Sequence, residues 1–312
     1  MSLFRTLMTQ SRGGGQSPCS KYGATVDTFL GDVDSTGKLL APTAQTDLVF
    51  DGVTDLALVA LSHRFYENPT IKTVSFPDLV QISGSQALHQ CFYGVQTNTI
   101  NFPVLETISG NSCFGYTFQN NNSIQSIEFP SLISISGSNT FYSTFYRNKN
   151  LTSCSFPVLE ELTGSSTFNG CFECCYALTS AQFPKLRKIG ADNTTSSNSS
   201  HFLSAFYSCS NLTSLEFPEL TAIYCSNQGP TDGTFYNNGT IQKLYFPKLS
   251  VIDKSPAYAR PYANSHKNVF YGCSKLTEIH FGAANQAAIE ATEGYPTLWG
   301  RGAGNATVYF DL

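Results

Sequence analysis

Little of this 312-residue chain is charged. Lys, Arg, Asp and Glu make up 13% of it, with 18 basic against 22 acidic side chains and a formal net charge of -4. No basic excess exists to neutralise phosphates, which argues against a nucleic-acid partner. No apolar run approaches the roughly 20 residues of a membrane span, so membrane insertion is not expected. The opening residues, MSLFRTLMTQSRGGG, carry Leu3, Phe4, Leu7 and Met8, but Arg5 and the polar run after Met8 leave no continuous apolar core for a secretory leader. The expectation is a soluble chain without a Sec signal. Histidine is also scarce: His63, His89, His201, His266 and His280 form no His-x-x-x-His or His-Glu-x-x-His pattern. Neither a Gly-rich phosphate loop nor a nucleophile elbow is present. One Cys-x-x-Cys, Cys171 to Cys174, has no second ligand pair spaced to meet it. The chain is therefore expected to be no enzyme, with no catalytic residue, no metal and no cofactor.

What the chain has is a repeat. Phe-Pro occurs at Phe76, Phe102, Phe129, Phe156, Phe183, Phe217 and Phe246, in steps of 26, 27, 27, 27, 34 and 29 residues. A fixed period of this size marks one supersecondary unit stacked on copies of itself. Two residues before the Phe stand Val74, Ile100, Ile127, Cys154, Ala181, Leu215 and Leu244. That alternation reads as a short strand with two inward side chains, ended by a proline that has no N–H to give. Leu three residues after the Phe and Ile or Leu six after it turn back over the core. Pairs such as Phe114/Phe118 and Phe141/Phe145 have the spacing of one face of a short helical turn. Degenerate units at Phe50, Phe281 and Phe310 bring the count to about ten rungs of parallel strands.

Eight residues before the Phe the chain places Asn68, Asn121, Asn148, Cys175, Cys209, Asn238 or Cys273. Asn or Cys at one fixed turn position is expected to form an internal ladder that bonds backbone groups the turn leaves unpaired. This assigns several of the ten cysteines to the scaffold. Neighbouring ladder thiols lie about one rung apart, but their parallel directions work against a disulfide.

The segments FYSCSNLTSLEFPELTAI and FYGCSKLTEIHF resemble BspA-type leucine-rich repeats, and the resemblance extends over about residues 48–312. It implies a right-handed leucine-rich-repeat solenoid with a binding or adhesive role. The chain departs from that pattern in its longer units and in lacking an export signal. The expected fold is thus a solenoid of short parallel β-strands, with irregular or short helical turns opposite, capped at both ends. Expected divisions are a head, Gly-rich break and N-terminal cap at 1–46, repeats at 47–282, and a C-terminal cap at 283–312. In the cap, Ala283–Thr292 suits a short helix, and Leu298 and Trp299 would cover the last rung.

A ligand is expected on the outward strand positions and on inserted loops. The outward row includes Asn101, Glu128, Gln182, Glu216, Tyr245, His280 and Tyr309, and a parallel row adds Lys243 and Glu278. The insertion in the Phe246 unit adds Tyr258, Arg260 and Tyr262. Tyrosines beside polar groups suit a protein or glycan contact. The leading reading is a phage or prophage virion component, because the short head also resembles those of tail-associated proteins and could join other virion or surface proteins. A bacterial BspA-like adhesin or interaction protein is the alternative, and a Ser or Cys hydrolase is the least favoured. Location follows the choice: virion-associated in the first case, otherwise cytoplasmic or exported by a route the sequence does not show.

Overall fold

A computed structural model describes residues 47–50, 52–56, 61–190, 200–225, 234–235, 237–254, 269–270, 272–292 and 306–312. The strands fall into two rows. The first row is the expected one: β1 (Asp47–Val49), β2 (Thr73–Ser75), β4 (Thr99–Asn101), β6 (Ser126–Glu128), β8 (Ser153–Ser155), β10 (Ser180–Gln182), β12 (Ser214–Glu216), β14 (Lys243–Phe246), β16 (Glu278–Phe281) and β17 (Thr307–Phe310). Each pairs in parallel with the strand of a neighbouring coil, in the register of the repeat: Val74 opposite Ile100, Leu244 opposite Ile279, Ile279 opposite Val308. The row is interrupted twice, giving sheets β1-β2-β4, β6-β8-β10 and β12-β14-β16-β17.

A second row runs beyond the proline corner. It comprises β3 (Gln81–Ile82), β5 (Thr107–Ile108), β7 (Ser134–Ile135), β9 (Glu161–Leu162), β11 (Lys188–Ile189), β13 (Ala222–Cys225) and β15 (Val251–Lys254), all in one continuous sheet. These strands carry the Ile/Leu position six after the Phe. Most are only two residues long, so they leave no alternation in the sequence for a strand to be read from.

Among the described residues the turn side contains no α-helix. In the coil of Phe114 and Phe118, backbone N–H groups alternate between two kinds of partner. Phe114, Tyr116 and Phe118 donate to the next coil, to Thr140, Tyr142 and Thr144 carbonyls at 2.9–3.0 Å, while Gly115 and Thr117 donate to Ser112 and Phe114 in their own coil at 3.1 Å. Every fourth residue is left-handed: Ser112, Tyr116 and Asn120 have φ of 53°, 56° and 61°. This repeat of turns, rather than a helix, puts Phe114 and Phe118 on the same inward side. Left-handed non-Gly residues cost on the order of 1–2 kcal/mol each. The cost is offset because, from Ser112 to Asn120, every turn N–H but that of Cys113 finds an acceptor.

The core is one continuous column. The strand Phe rings stack coil on coil, and the turn Phe rings form a second stack that meets the first edge to face. Phe102, Phe129 and Phe156 have no exposed surface. The Asn/Cys ladder is present as expected. Asn238 Nδ2 donates to the Phe202 carbonyl at 2.9 Å and its Oδ1 accepts the Phe206 N–H at 2.8 Å. Cys175 and Cys209 Sγ donate to the Phe145 and Phe172 carbonyls at 3.1 and 2.9 Å, and both thiols are free.

A second ladder is made of glycine. Gly84, Gly110, Gly137 and Gly164 each stand eight residues after the strand Phe. A Cβ on Gly137 would lie 2.1 Å from the Gly110 carbonyl oxygen, so the coils approach here too closely for any side chain. Near the other end, Ala283–Asn285 forms a 3-10 turn that leads into α1 (Gln286–Glu290), with Ile289 buried.

Candidate functional site

The outward positions of the first row change character along the solenoid. Asn101, Glu128, Gln182 and Glu216 are exposed; Asn101 pairs with Ser75, Glu128 and Gln182 flank Ser155, and Glu216 stands opposite Tyr245. From β14 onward the row becomes aromatic. Tyr245, His280 and Tyr309 occupy the same register on β14, β16 and β17. Their rings stack in sequence, Tyr245 on His280 at 4.8 Å and 18°, His280 on Tyr309 at 4.7 Å and 12°. Parallel pairing sets this spacing, because one rung is about 4.8 Å.

Charges bracket the stack. Lys243 Nζ meets Glu278 Oε2 at 2.9 Å across the rung. The same oxygen faces His280 Nε2 at 3.1 Å, and His280 Nδ1 faces Asp311 Oδ1 at 2.8 Å. The hydrogen bond from Lys243, reinforced by His280, holds the Glu278 carboxyl below its ordinary range, and the same contact raises Lys243. His280 is only 9% exposed because its neighbours cover both faces and both edges. It is therefore the keystone of the cluster rather than an open contact. Tyr309, at 38%, Glu216 and Asp311 are the exposed members.

So the structure brings Lys243, Tyr245, Glu278, His280 and Tyr309 into one cluster, with Glu216 one rung away opposite Tyr245. Asn101, Glu128 and Gln182 lie on the same side but on earlier coils. Tyr258, Arg260 and Tyr262 lie outside the described residues. Asp311 was not evident from sequence. It stands directly after Phe310, where most repeats have proline, and only that offset signals it.

A second aromatic surface lies on the turn side. Tyr66 stacks on Tyr93 at 4.6 Å and 1°, His89 contacts Tyr116 edge-on at 5.7 Å, and Arg147 covers the Tyr146 ring at 4.9 Å. Burial, then His63 nearby, pulls His89 below its usual range. Burial, then the Tyr142 hydroxyl, pushes Tyr116 up to about 12.

Among the described residues the cysteines are free and are not grouped with other ligand-type side chains to hold a metal ion. Cys171 and Cys175 are buried and desolvation raises both well above the usual thiol range, while Cys113 and Cys273 are pushed up to about 12 by the same cause. A buried thiol held protonated is a poor nucleophile and a poor metal ligand. Among the described residues no three His, Cys, Asp or Glu are grouped to hold a metal ion, and no helix is long and apolar enough to cross a membrane.

The model of the BspA type leucine rich repeat region matches the chain in six copies, over residues 61–200, 144–260 and 203–291. No curated protein matches. Among solved structures, the chain is similar to a leucine rich cell surface protein from Faecalibacterium prausnitzii, at 13% identity, covering 87% of this chain and 88% of that one with a TM-score of 0.24. It is also similar to the pneumococcal vaccine antigen PcpA, at 11% identity, covering 91% and 83% with a TM-score of 0.23. Likenesses this distant transfer no role.

Proposed function

The chain belongs to the family of BspA-type leucine-rich-repeat proteins, and on that premise we propose that it is a non-catalytic recognition protein whose outward sheet face at β12 to β17 receives a protein ligand. The observation that carries this is the stacked row Tyr245–His280–Tyr309, bracketed by Lys243, Glu278 and Asp311 on parallel strands. Aromatic side chains with polar edges supply contact area at low entropic cost when they are already held in place. Here the row is held by main-chain ladders beneath and by His280 between two carboxylates. A surface adhesin or interaction protein fits this arrangement. The virion reading draws on the head at residues 1–12, which lies outside the described residues, and the family membership adds nothing to it.

The test is to screen the labelled chain on protein and glycan arrays, then to repeat each hit with Tyr309→Ala, Tyr245→Ala and Glu216→Ala. Protein hits that lose tenfold or more, with melting unchanged, support the proposal. Hits confined to glycans would replace the ligand class, and hits indifferent to all three variants would remove the site from this face.

A further inference from the structure

Two positions per coil face outward at the corner that follows the Phe-Pro pair, the second and the fourth after the Phe. In four successive coils one of the two is aliphatic, and the choice alternates: Val80 is fourth, Val104 second, Ile133 fourth and Val158 second. Their exposures are 38%, 38%, 43% and 36%, and they are half of the large apolar side chains exposed among the described residues. The other position holds Asp78, Glu106, Ser131 or Glu160. From the next coil on the pattern stops. There the corner carries Lys185 and Arg187, then Glu219 and Thr221, then Lys248 and Ser250. Exposed aliphatic residues are ordinarily scattered singly. Four on consecutive rungs, stepping between the two positions, form a zigzag ridge, widened by the half-buried rings of Pro77, Pro103, Pro130 and Pro157.

The ridge is rigid. Glu106 N–H donates to the Val80 carbonyl, Ile133 to Glu106 and Glu160 to Ile133, each at 2.8 Å. A partner meeting it pays little to order this side of the contact. We propose that the corner from Val80 to Val158 is a second docking surface, distinct from the sheet face, and that its occupant is a basic amphipathic helix of a partner protein.

Charge and spacing select that occupant. No Lys or Arg stands at either corner position in these four coils, whereas Asp78, Glu106 and Glu160 do, with Glu160 paired to Arg187 at the far end. Lys and Arg on the partner would complement them. Val80 and Ile133 are two rungs apart, about 9.6 Å at the spacing of paired strands. Two turns of α-helix rise about 10.8 Å, so residues at i, i+3 or i+4 and i+7 can follow the ridge rung by rung. Same-face residues of an extended strand recur at about 6.8 Å and lose register within two rungs.

The test uses a synthetic, fluorescein-labelled helical peptide with Leu at i, i+4, i+7 and i+11 and Lys on both flanks, and a control with Glu for every Lys. Anisotropy titrations of the full chain should show binding of the Lys peptide, at least tenfold weaker binding of the Glu peptide, and loss at 0.5 M salt. Ile133→Ser with Val104→Ser should weaken the Lys peptide tenfold or more, and Glu106→Lys, which leaves the aliphatic row intact, should weaken it several-fold. Tyr245→Ala should leave it unchanged, which separates this surface from the sheet-face site. Equal binding of both peptides, no binding of either, or indifference to Ile133 and Glu106 would overturn the proposal. So would sedimentation showing a dimer of the chain that Ile133→Ser dissolves, since the ridge would then belong to a second copy.

Discussion

Replacing Phe156 with Ala should be among the costlier single changes in this protein. The ring has no exposed surface. It stacks on Phe129 at 5.2 Å and 6° and on Phe183 at 5.3 Å and 5°, and it meets Phe141 and Phe168 edge-on at 5.8 and 5.2 Å. Truncating a buried Phe costs about 3–5 kcal/mol, depending on how far the cavity collapses. Collapse is restricted here, because the Phe156 N–H is tied to the Gln182 carbonyl at 3.0 Å and the adjoining coils are tied in the same way. The four ring contacts add to the loss, so the upper end of that range, about 4–5 kcal/mol, is expected. Val158→Ala, two residues on and facing solvent, should cost within about 0.5 kcal/mol. Urea unfolding followed by circular dichroism would give both values. Repeat arrays can lose cooperativity, so native-state hydrogen exchange at the adjoining coils should accompany it. A Phe156→Ala cost below about 1.5 kcal/mol, or a cost equal to that of Val158→Ala, would refute the stacked-column account.

Gly137→Ala places a Cβ against the Gly110 carbonyl and should cost about 1–3 kcal/mol, whereas Gly239→Ala, whose nearest atom is the movable Ser274 hydroxyl at 3.3 Å, should be mild; equal melting temperatures would contradict the glycine ladder. His201 is fully buried and desolvation takes it from an ordinary 6.5 down to about 3. Above pH 6.5 both folded and unfolded states hold it neutral and its contribution is complete. Between 6.5 and 3 only the unfolded chain gains the proton, so stability should fall by on the order of 5 kcal/mol across that window. His201→Gln should flatten the acid limb of a urea-midpoint profile, and an unchanged limb would exonerate His201. His280→Ala removes contacts to two carboxylates and two rings, so it should lower stability by about 1–2 kcal/mol, while Tyr309→Ala should cost less than 1; thermal melts in which both are silent would show that His280 is not a keystone.

The period and the inward positions were legible because each rung repeats one hydrophobic need. A Phe that must fill the column at every coil is written seven times beside proline, and even the rungs without proline, at Phe50, Phe281 and Phe310, follow from it. The second strand row was not legible, since two-residue strands such as Gln81–Ile82 cannot display a period of two. Gly84, Gly110, Gly137 and Gly164 recur at a constant offset, yet their meaning depends on how closely coils approach, which is a tertiary fact. The four-residue spacing of Phe114 and Phe118 fits a helix and the observed turns alike, and only the left-handed Ser112, Tyr116 and Asn120 separate them. At the site, the outward row was readable from alternation alone. That His280 would be enclosed was not, because its enclosure depends on Asp311, which follows the last Phe of the row.

The two gaps in the first strand row have a mechanical consequence. Backbone bonds between coils point along the solenoid axis, so tension applied at its ends loads successive coil junctions in series, and the weakest junction yields first. Ser126–Glu128 and Thr99–Asn101 belong to different sheets, as do Ser214–Glu216 and Ser180–Gln182. At those two junctions the second row and the turn ladder bear the pull without the first. A stretched molecule should therefore part there, into blocks of intact coils, before any block unravels.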